Sequence, residues 1–259
     1  MKKVVCIIGA VCLFTGVTFG AEANFTNAAG GNLWKTAGNW STGSVPGDYA
    51  VISKPGVDCI IDSSTAAVAG NVWIGYSLFG GNGQLAMTGG TLDTGRIQLG
   101  IDSVGTFTLS GGDVTCTGVF SVGSYDYVNS GNGTLEMTGG TITTLAMDIP
   151  NIGSPATGAV KLYGGTITIT GTSGLSFMMQ YNSSSTGSMD IRGTGVFKWA
   201  GDHIAELDWY KGLGRIYTSE AGKALDISYD GTVTTMQVIP EPTTMVLLGL
   251  GGLLFTRKK

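Results

Sequence analysis

Residues Gly133 to Thr143 read GTLEMTGGTIT, and close copies of this stretch recur on both sides of it. Leu135 and Met137 are apolar, whereas Thr134, Glu136 and Thr138 between and around them are polar. Alternation with a period of two places the apolar pair on one face of a strand and the polar residues on the other. Gly139-Gly140 then supplies a corner, because glycine accepts the positive φ of a tight turn, and Thr141-Ile142-Thr143 opens a second short strand.

Five octets align without gaps: GQLAMTGG from Gly83, GTFTLSGG from Gly105, GTLEMTGG from Gly133, GAVKLYGG from Gly158 and GSMDIRGT from Gly187, at spacings of 22, 28, 25 and 29 residues. Such periods suit one turn of a three-sided coil and exceed what a hairpin meander needs. The expected fold is all-β, a right-handed parallel β-helix (β-solenoid) of about seven coils. Its inward pairs are Leu85 and Met87, Phe107 and Leu109, Leu135 and Met137, Val160 and Leu162, and Met189 and Ile191.

The second strand should turn Leu92, Val114, Ile142, Ile167 and Val196 inward. A third face reads Val72-Trp73-Ile74-Gly75, Ile97-Gln98-Leu99-Gly100 and Phe120-Ser121-Val122-Gly123. The fourth octet position points outward. It should set Glu136 beside Lys161 and Lys161 beside Asp190, a charge alternation that favours this register over a slipped one. Beyond Gly201 the pattern decays, with Gly214-Arg215-Ile216 as a last octet within the final, capping coil. The repeat domain is placed at residues 50–237, beginning with Val51, Val57, Cys59 and Ile61 in the core.

Composition agrees with short strands joined by tight corners. The chain has 259 residues, 44 of them glycine; 42% are hydrophobic and 12% charged, against about 25% charged in an ordinary domain. Between Asn24 and Ile239 nine Lys and Arg face 16 Asp and Glu. A body so acidic is repelled by phosphate backbones, and no nucleic-acid partner is expected. Cys59 and Cys116 fall about two coils apart, roughly 9–10 Å at the usual strand spacing. That exceeds the bridging limit of about 7 Å, so both are expected as free, buried thiols.

The ends carry addresses. Residues 1–23 have the three parts of a secretory signal peptide: Lys2 and Lys3, an apolar run from Val4 to Phe19, and small residues ending at Ala23. Cleavage is expected after Ala23, with Ala21 as the alternative, and the export translocon is thereby a partner. Residues 24–49 hold Trp34, Trp40 and Tyr49 without a period and are read as an aromatic N-terminal cap; a rival reading stacks Trp34 and Trp40 on sugars. At the other end, Pro240-Glu241-Pro242 precedes a short apolar helix from Met245 to Phe255 and the basic tail Arg257-Lys258-Lys259. That helix is too short for a permanent span of a hydrocarbon core of about 30 Å, so membrane insertion should be transient.

This tripartite tail, residues 238–259, resembles the PEP-CTERM sorting signal. The resemblance implies processing near Pro240-Glu241-Pro242 by an exosortase-type enzyme. It also implies a brief stay in the inner membrane of a Gram-negative bacterium and release to the cell surface or the extracellular polysaccharide. The body resembles the Gly-Gly repeats of exported autotransporter-like proteins and, more distantly, the pectate-lyase type of β-helix. Polysaccharide is therefore a candidate partner.

No catalytic centre is expected, and no cofactor. The nearest approach to one is Asp102 and Asp126, at the same corner of neighbouring coils, with Arg96 close in sequence; a polysaccharide lyase would need such acids beside a base or a metal. Asp202, His203 and Glu206 are the only other grouping that suggests a ligand set, and the expected identity of that segment is a polar stretch of the late coils. The function expected is that of a non-enzymatic structural or adhesive solenoid. A glycan-binding module is the alternative, and a lyase or hydrolase the third reading.

Overall fold

The computed structural model describes residues 21–123, 130–150, 155–179 and 184–241. In chain order the strands are β1 Glu22–Asn24, β2 Tyr49–Ile52, β3 Asp58–Ile61, β4 Ala66–Ile74, β5 Gly83–Leu99, β6 Val104–Val122 and β7 Asn132–Ile149. They continue with β8 Thr157–Ile169, β9 Phe177–Met179, β10 Thr186–Ile191, β11 Val196–Ala200, β12 Ile216–Tyr217, β13 Lys223–Tyr229 and β14 Val233–Pro240. Among the described residues one α-helix, α1 Ile204–Gly212, lies between β11 and β12.

The octet register is the one its alignment dictates. Gly83, Gly105, Gly133, Gly158 and Gly187 are successive Cα partners in parallel pairing, each coil lying on the next. Stacking turns the inward pairs into columns. One runs Cys59, Leu85, Phe107, Leu135, Val160, Met189, Ile216 and another Ile61, Met87, Leu109, Met137, Leu162, Ile191, all 1% exposed or less. Each such side chain contributes roughly 1.5–3 kcal/mol on burial. The pairing Met189↔Ile216 confirms the last octet at Gly214-Arg215-Ile216. The result is a β-solenoid of about seven turns.

Strands β5, β6 and β7 are long because each runs on through the Gly-Gly corner, where the pairing shifts or skips, and the ladder resumes beyond it at Thr91, Asp113 and Thr141. At Gly140 the corner takes a φ of 77°. The first glycine of each octet has a different reason to be glycine. A Cβ on Gly133 would stand 2.5 Å from Leu99 O and closer still to Gly123 N, in the backbone of the two coils before it. The strand start is thus tucked beneath a corner where no side chain can go.

Several expectations change. The second-strand column runs Leu92, Val114, Ile142, Ile167 and then Phe197, while Val196 pairs with Thr166 on the outer side. Gly193-Thr194-Gly195 adds one residue to that corner, and in a period-two strand one residue reverses the faces. Glu136 and Lys161 form the expected pair at 3.1 Å. Asp190 does lie beside Lys161 in register, but its carboxylate is buried and bonds Arg192 at 2.6 Å instead. The stretch expected as a period-free cap contains part of the first rung: β1 pairs in parallel with β2 through Glu22↔Tyr49, Ala23↔Ala50 and Asn24↔Val51. Ala23 is buried in that rung, so cutting after Ala21 keeps β1 whole and cutting after Ala23 removes two of its three residues.

Both ends of the stack are covered. At the first, Trp40 stands edge-on to Trp34 at 4.9 Å and to Phe25 at 5.2 Å, and its indole N–H donates to Trp34 O at 2.7 Å. At the second, where polar late coils were expected, α1 turns Leu207 and Tyr210 inward. There β11, β14 and β13 form an antiparallel sheet. Cys59 and Cys116 are free and buried, as their spacing requires; they also lie on different faces, opposite Leu85 and Thr94 respectively. Burial pushes both thiols up, which leaves them unreactive. Among the described residues no helix is long and apolar enough to cross a membrane. The leader before Ala21, the apolar stretch Met245–Phe255 and the basic tail lie outside the described residues.

Candidate functional site

The C-terminal motif begins inside the fold. Sequence reasoning ended the body at residue 237 and started an extended linker at Val238, but β14 continues through Val238, Ile239 and Pro240 opposite Leu225, Ala224 and Lys223 of β13. The Glu241 N–H donates to Gly222 O at 3.1 Å, which extends the ladder by one more residue. Hydrogen-bonded and non-hydrogen-bonded pairs alternate in an antiparallel ladder. The Glu241–Gly222 pair is bonded, so the Pro240–Lys223 pair beside it is not, and the missing N–H of Pro240 costs no ladder bond. Val238 is partly buried against the core, whereas the side chains of Pro240 and Glu241 face solvent.

The hairpin is closed by Asp230-Gly231. The Asp230 carboxylate accepts from the Thr232 N–H at 2.8 Å, the Thr232 hydroxyl at 2.7 Å and the Val233 N–H at 2.9 Å. Those bonds, the Thr232 hydroxyl foremost, hold its pKa below the usual carboxylate range.

Of the acids considered for catalysis, Asp102 has structural employment. Asp102 accepts from the Ser77 N–H at 2.6 Å and the Ser77 hydroxyl at 2.5 Å, holding the turn at Ser77–Phe79 of the preceding coil. Asp126 lies outside the described residues. Arg96 sits half-buried on β5 opposite Asn71. Asp62 gathers Thr65, Ser64 and Lys35 around one exposed carboxylate and is held well below its ordinary pKa by those bonds. A shallow depression of about 140 Å³ on the octet face is lined by Asp58, Gln84, Ala86 and Thr106, less than a ligand pocket of ~300–1,000 Å³ needs.

Trp34 and Trp40 are 0% and 2% exposed. Neither offers a ring face to a sugar, and the glycan-contact reading of these two side chains is withdrawn. The outward aromatic row is elsewhere: Tyr49, Trp73, Tyr76 and Phe79 stand edge to face at successive centroid distances of 5.0, 5.5 and 5.3 Å. All four are half-buried on the outer side of the early coils.

His203 precedes α1 and is buried, stacked on Trp199 at 3.7 Å with an interplanar angle of 12°. Its Nε2 faces Ala200 O at 3.1 Å and its Nδ1 faces Glu206 at 3.5 Å, so both ring nitrogens are occupied in packing the end of the stack. Asp202 lies 3.4 Å from the Ile204 N–H at the helix start. Among the described residues no three His, Cys, Asp or Glu side chains gather to hold a metal.

Asp190 is the polar centre that sequence reasoning missed. Besides Arg192, it accepts from the Ser219 N–H at 3.0 Å and the Ser219 hydroxyl at 2.7 Å, tying β10 to the chain after β12. Burial alone would raise its pKa, but the Arg192 and Ser219 bonds outweigh it and the net shift is downward. A carboxyl lowered in the folded state adds stability above its unfolded pKa of about 3.9 and loses it as pH falls through the folded value. Asp190→Asn is expected to lower stability at neutral pH and to flatten its decline below about pH 4. Urea titrations of both proteins across that range measure it, and equal slopes would contradict the assignment.

Residues 238–259 match the PEP-CTERM protein-sorting motif. No curated protein and no solved structure matches the chain. A motif of this kind directs export through an exosortase-type system toward the cell surface or exterior.

Proposed function

We propose that this protein is a non-enzymatic structural or adhesive component of the cell surface or extracellular matrix, a rod delivered there by its C-terminal sorting motif. The observation that carries the reading is the match at residues 238–259 placed directly on the end of a regular solenoid. Its support is the use made of the polar groups: Asp102 and Asp190 each bond a serine remote in sequence, and His203 packs on Trp199 and Ala200 at the end of the stack. In this reading the chain enters the inner membrane through its apolar tail, is cut by the exosortase-type enzyme, and meets extracellular polysaccharide. The test is to fractionate cells producing the wild type and a Glu241→Ala variant, with mass spectrometry of each C-terminus. Wild type should lose its tail and leave the membrane fraction while the variant keeps both. A tail retained in the wild type sinks the reading.

A second reading, a glycan-binding module, rests on the outward row of Tyr49, Trp73, Tyr76 and Phe79. Aromatic side chains on a fixed scaffold suit sugar faces, since they offer large apolar area at small entropic cost.

A further inference from the structure

We infer that the β13–β14 hairpin masks the sorting site, so that the processing enzyme acts on a chain whose last β14 residues are detached from β13. The inference rests on the sorting reading above and concerns when the site is open. Val238, Ile239 and Pro240 pair with Leu225, Ala224 and Lys223, and Glu241 adds a backbone bond to Gly222. The first four residues of the matched motif are therefore annealed to the body, with no free linker between body and motif.

An enzyme that reads Pro240-Glu241-Pro242 must surround the main chain of that segment. Here one edge of that main chain is already paired, and Val238 packs on the core beside it. The chain offers little slack on the membrane side. Only Pro242, Thr243 and Thr244 separate Glu241 from the apolar run starting at Met245, and three residues reach at most about 10 Å. A membrane-embedded enzyme cannot enclose the motif while the folded body stands that close and holds its first half.

Detachment is confined to one end of the sheet. Residues Thr234 to Gln237 lie between β11 and β13 and are paired on both sides, whereas Val238 to Pro240 are paired with β13 alone. Strand ends held on one side open at far smaller free-energy cost than the body of a sheet. The site can thus be offered by a local peeling that leaves the solenoid intact, or before the hairpin first closes.

The test fixes the hairpin covalently. Leu225 and Val238 form a non-hydrogen-bonded pair, three steps from the bonded Glu241–Gly222 pair in register, and Cα atoms in such pairs approach to about 4.5 Å, within disulfide range. Full-length Leu225→Cys/Val238→Cys is produced in the exporting cell beside wild type, both single variants, and the double variant carrying six Gly-Ser residues between Ile239 and Pro240. Pulse-chase with intact-mass analysis reads the half-life of the tailed precursor. The oxidised double variant should persist on the order of tenfold longer than wild type, and the inserted linker, which frees the motif from a still-locked hairpin, should restore processing. Processing of the locked protein at the wild-type rate overturns the inference. So does a failure of the linker to rescue it, since the block would then come from damage to the fold. A wild type that is never processed overturns the sorting reading itself.

Discussion

Gly133→Ala is expected to destabilise the fold by about 3–5 kcal/mol, a cost at the upper end for a single substitution. One added methyl group is enough because of where it would go. The space at Gly133 is taken by Gly123 N and Leu99 O of the two coils before it, and rigid backbone cannot give way as a side chain can. The same holds at Gly158, where the Cβ would meet Val122 O, and at Gly187, where it would meet Ile149 O. Gly212, the last residue of α1, has nothing within 4 Å of such a Cβ and no positive φ. Gly212→Ala should therefore stabilise by roughly 0.4–1 kcal/mol through the entropy of the unfolded chain. Urea midpoints at constant m-value measure both. Equal, small effects would remove the steric account of the octet.

Trp40→Ala should cost about 3–5 kcal/mol, the usual penalty for emptying a large buried aromatic site. It would also strip the cover from Trp34 and Phe25, with which Trp40 packs edge to face. Trp73→Ala, on the outer side, should cost less than about 1.5 kcal/mol. Under the glycan-binding reading it should abolish retention on a glycan array that the wild type shows. A wild type silent on the array counts against that reading, and a Trp73→Ala protein as unstable as Trp40→Ala would place Trp73 in the core.

The octet was legible from sequence because the distance from its first glycine to the inward pair is constant, whatever the loops between coils do. Its outer side was less so. The fourth position was assigned to solvent by alternation alone, and Asp190 departs from that because Ser219, remote in sequence, returns to cover it. The one-residue insertion at Gly193-Thr194-Gly195 was visible, yet its effect on Phe197 depends on which residue the corner absorbs. Helix α1 escaped because Trp209 and Leu213 are exposed at 57% and 50%, which blurs the apolar stripe a surface helix usually shows. The terminal hairpin did leave a signal: Asp230-Gly231 between two alternating runs is a strong short-range turn. Its antiparallel pairing falls outside the parallel period of the octets, so that period does not show the motif's attachment to the fold.

The antiparallel strands at the end of the stack set a limit on growth. Parallel coils in register, about 4.8 Å apart, share the geometry of cross-β fibres, in which an open edge recruits the next chain. A rod of this kind with bare ends would be a seed. Here the Trp34–Trp40 cluster closes one end, while α1 and the β13–β14 hairpin close the other with strands running the wrong way to template another coil. Processing beyond Glu241 would leave that plug in place, so the released particle stays finite while built to a fibre's plan.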